Sequence, residues 1–260
     1  MRASSLCMGW LAATVWGPAA QASAPQAPAP QVSAPSTPVP PAATAPDSEA
    51  VLAPFSAHYL AQWKGITVGS SDLQLVHTAQ LGAYRYKWTV SASGIFRLVY
   101  SDDVVQQSWF KVVDEHVLPE KYFAQEGKSS VSLNFDWNGE RLRGSSENKP
   151  VDIGLKPGTQ DLLSIQIEVM LDLKNGDMPD AFYIVEKNAM KEFLYAREGT
   201  ARIGTAIGTL DTVIVSSQRA GSDRILRMWF APSLGYVPIQ AERMRDGKLE
   251  FAMRIKSLKR

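Results

Sequence analysis

Tyr84-Arg85-Tyr86-Lys87-Trp88-Thr89-Val90-Ser91-Ala92 is the stretch on which the fold class turns. Large apolar side chains hold the even positions and polar ones the odd. A period of two puts the aromatic set on one face of a β-strand and the polar set on the other. Nine residues in extended form reach roughly 30 Å. Such length suits a barrel or a strongly coiled sheet.

The same rhythm runs outward in both directions. Phe55, Ala57, Tyr59, Ala61 and Trp63 form one face of a first strand, and Lys64-Gly65 reads as a tight turn. The second strand changes parity: Ile66 and Val68 are even, Leu73 and Leu75 odd. Keeping both pairs inside requires an extra residue, which predicts a bulge near Gly69-Ser70. Gly94–Tyr100 suits a short helical turn at a barrel end. Residues 103–113 are apolar on both faces, as a strand covered on both sides would be, and residues 117–126 continue the sheet. Asn138-Gly139 follows Val131, Leu133, Phe135 and Trp137 and is a two-residue hairpin signal that pairs Phe135 with Leu142. Residues 181–188, 191–198, 200–206, 209–218, 223–231, 236–245 and 248–257 also alternate, for about thirteen strands in all. In the last hairpin, a three-residue loop Arg245-Asp246-Gly247 keeps Phe251 opposite Ala241 and Met253 opposite Ile239.

One segment breaks the period. Thr159 to Lys174 contains no Pro or Gly and carries Leu162, Leu163, Ile165, Ile167, Val169, Met170, Leu171 and Leu173. It predicts a helix over 159–174, capped by Thr159 or Asp161 and ended by Asn175-Gly176. Its apolar positions cover most of the circumference, so it should be largely buried against the concave face of the sheet. The expected fold is therefore mainly β: a long-stranded, antiparallel, curved or barrel-like domain with one main buried helix.

The N-terminal region is different in kind. Leu6 to Trp16 is mostly apolar, follows Arg2, and precedes Ala20-Gln21-Ala22, as in a secretory signal cut after Ala22. Residues 23–50 form a Pro/Ala-rich linker; eight of the chain's 16 prolines lie there, a composition that cannot bury a core and favours extended chain. Residues 51–260 are then a single domain, exported to the periplasm.

Formal net charge is +1, from 27 basic and 26 acidic residues. Residues 1–50 take Arg2, Asp47 and Glu49 of these, which leaves 26 basic and 24 acidic side chains for the domain. A near-neutral domain without a basic block argues against nucleic acid as partner. The one cysteine, Cys7, lies in the leader, so the domain has no disulfide, thiol nucleophile or thiolate site. After the leader no segment is apolar enough to cross a membrane as a helix.

Chemistry is not evident along the chain. His58, His77 and His116 are the only histidines, and none has a partner at metal-ligand spacing. Asp102-Asp103 and Asp114-Glu115 are adjacent pairs whose members point to opposite faces of a strand. Nucleophile elbows, phosphate loops and dinucleotide fingerprints are absent. No catalytic residue, metal site or cofactor is expected. Lys156-Pro157-Gly158-Thr159-Gln160-Asp161 reads either as a stop-and-cap element or as a polar rim at a helix N-terminus.

Pro157-Gly158-Thr159-Gln160-Asp161, Gly221-Ser222-Asp223-Arg224, Trp229-Phe230-Ala231-Pro232 and Gly235-Tyr236-Val237-Pro238 occur in that order. Together with Tyr59-x-x-x-Trp63-x-Gly65-Ile66-x-x-Gly69, this pattern resembles the bacterial domain-of-unknown-function family numbered 3108, over roughly residues 54–258. The resemblance implies a Gram-negative envelope protein and brings no catalytic residues with it. The hairpin from Arg227 to Gln240 is also similar in architecture to the half-barrels of periplasmic lipoprotein carriers.

The leading expectation is a non-enzymatic periplasmic protein that binds an apolar or amphipathic ligand, such as a lipid or acyl chain. Trp63, Trp88, Trp109, Leu163, Ile167, Met170 and Trp229 would line the site. Thr159, Gln160, Asp161, Asp223 and Arg224 would form its polar rim. The alternative is an envelope interaction or scaffold module held out by the proline-rich spacer; a hydrolase is a third reading. An enclosed cavity favours the first, an exposed apolar patch the second, and a buried carboxylate or histidine in a cleft the third.

Overall fold

A computed structural model describes residues 52–80, 82–98 and 101–260. The leader (1–22) and the linker (23–50) lie outside the described residues. The N-terminal half supplies β1 (Phe55–Trp63), β2 (Ile66–His77), β3 (Ala83–Ala92), β4 (Val104–Val113), β5 (His116–Glu126), β6 (Ser129–Asp136), β7 (Arg141–Ser146) and β8 (Lys149–Gly154). After the two-residue β9 (Gln160–Asp161) comes the helix α1 (Ser164–Asn175). The C-terminal half supplies β10 (Ala181–Glu186), β11 (Ala189–Thr205), β12 (Gly208–Arg219), β13 (Arg224–Ala231), β14 (Val237–Arg245) and β15 (Lys248–Lys259).

All fifteen described strands belong to one sheet, ordered β8-β7-β6-β5-β4-β3-β2-β1-β15-β14-β13-β12-β11-β10-β9. Each half is a meander of consecutive antiparallel hairpins. The halves join where β1 pairs β15, so the first and last strands meet in the middle of the sheet. The sheet is open, and only β9 with β10 is parallel.

Tight turns impose the curvature. Lys64-Gly65, Asp114-Glu115, Glu147-Asn148 and Asp246-Gly247 each place two residues at positive φ. That geometry matches the right-handed twist of paired strands. Coiling carries β9 round until it lies beside β5, and the Gln160 side-chain amide donates to Val117 O at 2.8 Å. The curled sheet wraps α1, which packs on β4, β5 and β9.

The alternation of β3 holds from Tyr84 to Val90: Tyr84, Tyr86, Trp88 and Val90 are buried between half-buried polar neighbours, while Ala92 at the strand end is half-buried. One continuous core joins these to Phe110, Tyr122 and Leu133 of the first half and to Val215, Phe230, Ile239 and Phe251 of the second. Gly94–Leu98 is a short 3-10 turn, as the pattern predicts, and Phe135 does pair with Leu142.

Several local expectations are corrected. The bulge of β2 falls at Val68, since Ala61 pairs Gly69 while Gln62 pairs Thr67; Val68 is buried and Ile66 is 60 % exposed. Residues 191–198 and 200–206 are one strand, β11, with a bulge between Arg197 and Gly199. β4 is not covered on both sides. Its inner face carries Gln106, Ser108 and Phe110, while Trp109 is half-buried and Val113 exposed.

The last hairpin closes with the two-residue turn Asp246-Gly247, and a bulge at Glu250 then places Met253 opposite Ala241 and Phe251 opposite Arg243. The tight turn and the apolar face are both kept because the ladder, not the loop, absorbs the extra residue. The helix also starts later than the pattern predicts. Thr159 precedes β9, and α1 begins at Ser164, because Gln160 and Asp161 pair with Ile184 and Val185 of β10.

Candidate functional site

Polar side chains inside an apolar core are the informative exceptions, and here they gather around the start of α1. Asp161 is fully enclosed, at 0 % exposure. Its carboxylate accepts from Ser108 Oγ at 2.6 Å and from the Leu163 and Ser164 N–H groups at 2.8 Å each. The Asp161 N–H in turn donates to Ser164 Oγ at 2.9 Å. Asp161 thereby takes the first free N–H of α1, but it is not the cap residue expected: Leu163 holds that position and makes no side-chain cap hydrogen bond, because β9 sets Asp161 two residues earlier. Burial pushes the Asp161 carboxyl up to about 6, against the pull of these hydrogen bonds. The surroundings continue the network. Tyr122 OH donates to Gln106 Oε1 at 3.1 Å, and Tyr86 OH to Gln166 Oε1 at 3.1 Å. No side of Asp161 faces solvent from which a substrate would approach.

A second cluster lies farther along α1. Glu168 and Asp172 are four residues apart on the helix, and both are buried. His116, the first residue of β5 after the Asp114-Glu115 turn, reaches them from outside. Its Nδ1 is 2.9 Å from Glu168 Oε1, and the Val117 N–H donates to Glu168 Oε2 at 2.5 Å. The Glu168 hydrogen bond raises the His116 pKa. Burial, reinforced by Glu168, pushes the Asp172 carboxyl up to about 7. Sequence spacing hides this group, because His116 and α1 are some fifty positions apart.

The third feature is an apolar end of the sheet. Trp63 pairs with Ile66 across the first turn, and the Lys64 ammonium lies 4.9 Å over the Trp63 ring. Gly94–Leu98 packs against β2 and β3, tied by Ser93 N–H to Val68 O at 2.9 Å. Ile66, Ile95 and Leu98 are 60, 74 and 85 % exposed.

The expected ligand-binding residues therefore do not share one surface. Trp88, Leu163, Ile167 and Met170 are core side chains, and the Trp88 indole N–H donates to Ser71 Oγ at 2.6 Å. Trp109 is half-buried beneath the Lys121 ammonium, 5.3 Å from its ring. Trp229 is half-buried against the core. Only Trp63 stands at the exposed apolar end.

The expected polar rim also divides. Thr159, Gln160 and Asp161 are interior residues, at 0, 1 and 0 % exposure, because β9 is drawn under β5. Asp223 and Arg224 sit at the β12–β13 turn, where Asp223 pairs with Arg245 at 3.1 Å and Arg224 with Glu250 at 3.6 Å. Sequence reasoning missed Ser108 and Gln106. Their signal was two polar residues at inward positions of an otherwise apolar strand.

Fold and sites together define an open, curved, barrel-like antiparallel sheet enclosing a helix, with a buried polar network at the helix N-terminus. The chain belongs to the family described as "Protein of unknown function (DUF3108)", which it matches over residues 58–254. Among solved structures it is similar to a beta-barrel-like protein of the domain of unknown function DUF1849 from Brucella abortus, at TM-score 0.47 and 9 % identity, over 80 % of this chain and 98 % of that one. It is also similar to the MucA/MucB complex of Pseudomonas aeruginosa, at TM-score 0.34 and 9 % identity, over 79 % of this chain and 51 % of that one. Neither likeness bears on function. No curated protein matches the chain.

Proposed function

We propose that this is an exported, non-enzymatic protein of the bacterial envelope that binds the apolar part of an amphipathic molecule, a lipid or acyl chain. The carrying observation is the exposure of Ile66, Ile95 and Leu98 at the same end of the sheet as Trp63. Covering a large apolar side chain is worth about 1.5–3 kcal/mol, so these positions favour an apolar partner. An anionic headgroup is supported by the Lys64 ammonium, which lies over the Trp63 ring at this end. Export is supported by the apolar run Leu6–Trp16 before Ala20-Gln21-Ala22, and the proline-rich residues 24–50 would let the domain reach from an anchoring point.

Oleate titrated against the purified chain tests this reading. The melting temperature should rise with ligand concentration by mass action, and Ile95→Asp with Leu98→Asp should abolish the rise. Native mass spectrometry of protein taken from the periplasm should show bound lipid. A flat titration together with lipid-free protein would sink the proposal.

The alternative is docking on another envelope protein. It is favoured by a separate apolar pair on β10 and β11, Tyr183 and Leu194, exposed at 36 and 49 %. Strand addition at the free edge of β8 fits less well, because Lys149 and Pro150 open that strand and both blunt an edge.

A further inference from the structure

The place where α1 meets the β4–β5 hairpin has an electrostatic problem that the described residues leave unsolved. Glu168 and Asp172 are like charges one turn apart on the same helix face, an unfavourable pair. They are 6 and 3 % exposed, and Asp172 Oδ2 is buried with no hydrogen-bond partner. Asp172 also lies in the last turn of α1, where the carbonyl ends of the helix disfavour an anion. Glu115 and Asp177 add negative charge from either side. Lys174 is the basic residue of that turn, but it is exposed. Among the described residues no lysine or arginine forms an ion pair with Glu168 or Asp172; the one cationic partner is His116, bonded to Glu168.

One ligand atom from each of His116, Glu168 and Asp172 lies within 4.8 Å of the other two. We propose that these three side chains bind a divalent transition-metal ion, Zn²⁺ by class, which clamps α1 to the β4–β5 hairpin. An imidazole with two carboxylates suits Zn²⁺ better than Mg²⁺ or Ca²⁺, which prefer oxygen ligands throughout. Zinc bonds of about 2.0–2.2 Å put tetrahedral ligands roughly 3.4 Å apart, so the 2.9 Å His116–Glu168 contact must open slightly while the wider separations, within 4.8 Å, settle to the same spacing. His116 can do this because its side chain is 70 % exposed, and it would exchange its hydrogen bond to Glu168 for the metal. Glu168 is already oriented by the Val117 N–H on its second oxygen, the usual outer support of a metal ligand. The fourth position is left for water. A divalent cation would neutralise both carboxylates and give Asp172 Oδ2 the partner that it lacks.

The test is titration of Zn²⁺ into the full chain after chelator treatment, read by calorimetry and by melting temperature, with Mg²⁺ as control. One Zn²⁺ should bind per chain and raise the melting temperature, and Mg²⁺ should do neither. His116→Ala, at a largely exposed position, and Asp172→Asn should each weaken Zn²⁺ binding by at least about tenfold, since even outer-sphere losses cost that much. Without zinc, Asp172→Asn should melt no lower than the unaltered chain, because it removes a buried unpaired charge. If the unaltered chain shows neither heat nor a melting shift with Zn²⁺, the trio is an ion pair with a buried acid and no metal site. Unchanged affinity in either variant overturns the ligand assignment.

Discussion

Replacing Asp161 by alanine tests whether the buried polar network holds the start of α1 in place. The carboxylate accepts from two backbone N–H groups and from Ser108 Oγ, and all three donors are buried. Truncation strands the Leu163 and Ser164 N–H groups, while the Ser108 hydroxyl can rotate. A buried donor left unpaired costs about 1–3 kcal/mol, so two give a loss of roughly 2–6 kcal/mol. Burial holds the native carboxyl at about 6, against an ordinary 3.8. A folded-state value above the unfolded one means that the native chain keeps this proton longer. The resulting stability is fully present below about pH 3.8, falls as pH rises through 6, and stays lost above that. A gap of two units corresponds to on the order of 3 kcal/mol.

The cost of Asp161→Ala should therefore be largest at about pH 4 and shrink as pH rises through 6, because the unaltered protein itself loses stability over that interval. Asp161→Asn keeps an acceptor for both N–H groups and cannot titrate. Its stability relative to the unaltered protein should rise over the same interval. Urea unfolding followed by tryptophan fluorescence at several pH values measures both variants. A cost for Asp161→Ala below about 1 kcal/mol at pH 4, or one that does not change between pH 4 and 6, would refute this account of the network.

Two further outcomes follow from the packing. Ile167 is 0 % exposed on the wrapped helix, so Ile167→Ala should lower unfolding stability by about 2–5 kcal/mol if the interior is close-packed; a loss under about 1 kcal/mol would mean that the cavity collapses or was already open. At Gly69 an added Cβ would come within 2.1 Å of the Ser91 carbonyl oxygen, which is backbone and cannot step aside alone. Gly69→Ala should therefore cost about 1–3 kcal/mol, whereas Gly65→Asn, in the open first turn, should cost less, as compared by thermal melts.

The β class of this protein, its long strands, most of its turns and its single very apolar segment are legible in the sequence, because side-chain alternation and turn chemistry are local. β3 shows this most clearly: from Tyr84 to Val90 the buried and half-buried side chains alternate as their parity assigns. Family membership is legible too, through short motifs in a fixed order. What the sequence could not decide depends on pairs distant along the chain. β9 is two residues within an apparent helix, and it exists only because Ile184 and Val185 of β10 lie alongside. Bulges at Val68 and Glu250 shift register where neighbouring strands demand it, and no local signal marks which residue will be extra. The interior network needs β4 to bring Ser108 to Asp161, and the acidic trio needs a hairpin to carry His116 to a helix about fifty residues later. Local preference sets what each segment is, and long-range pairing of a curled sheet sets which side chains meet.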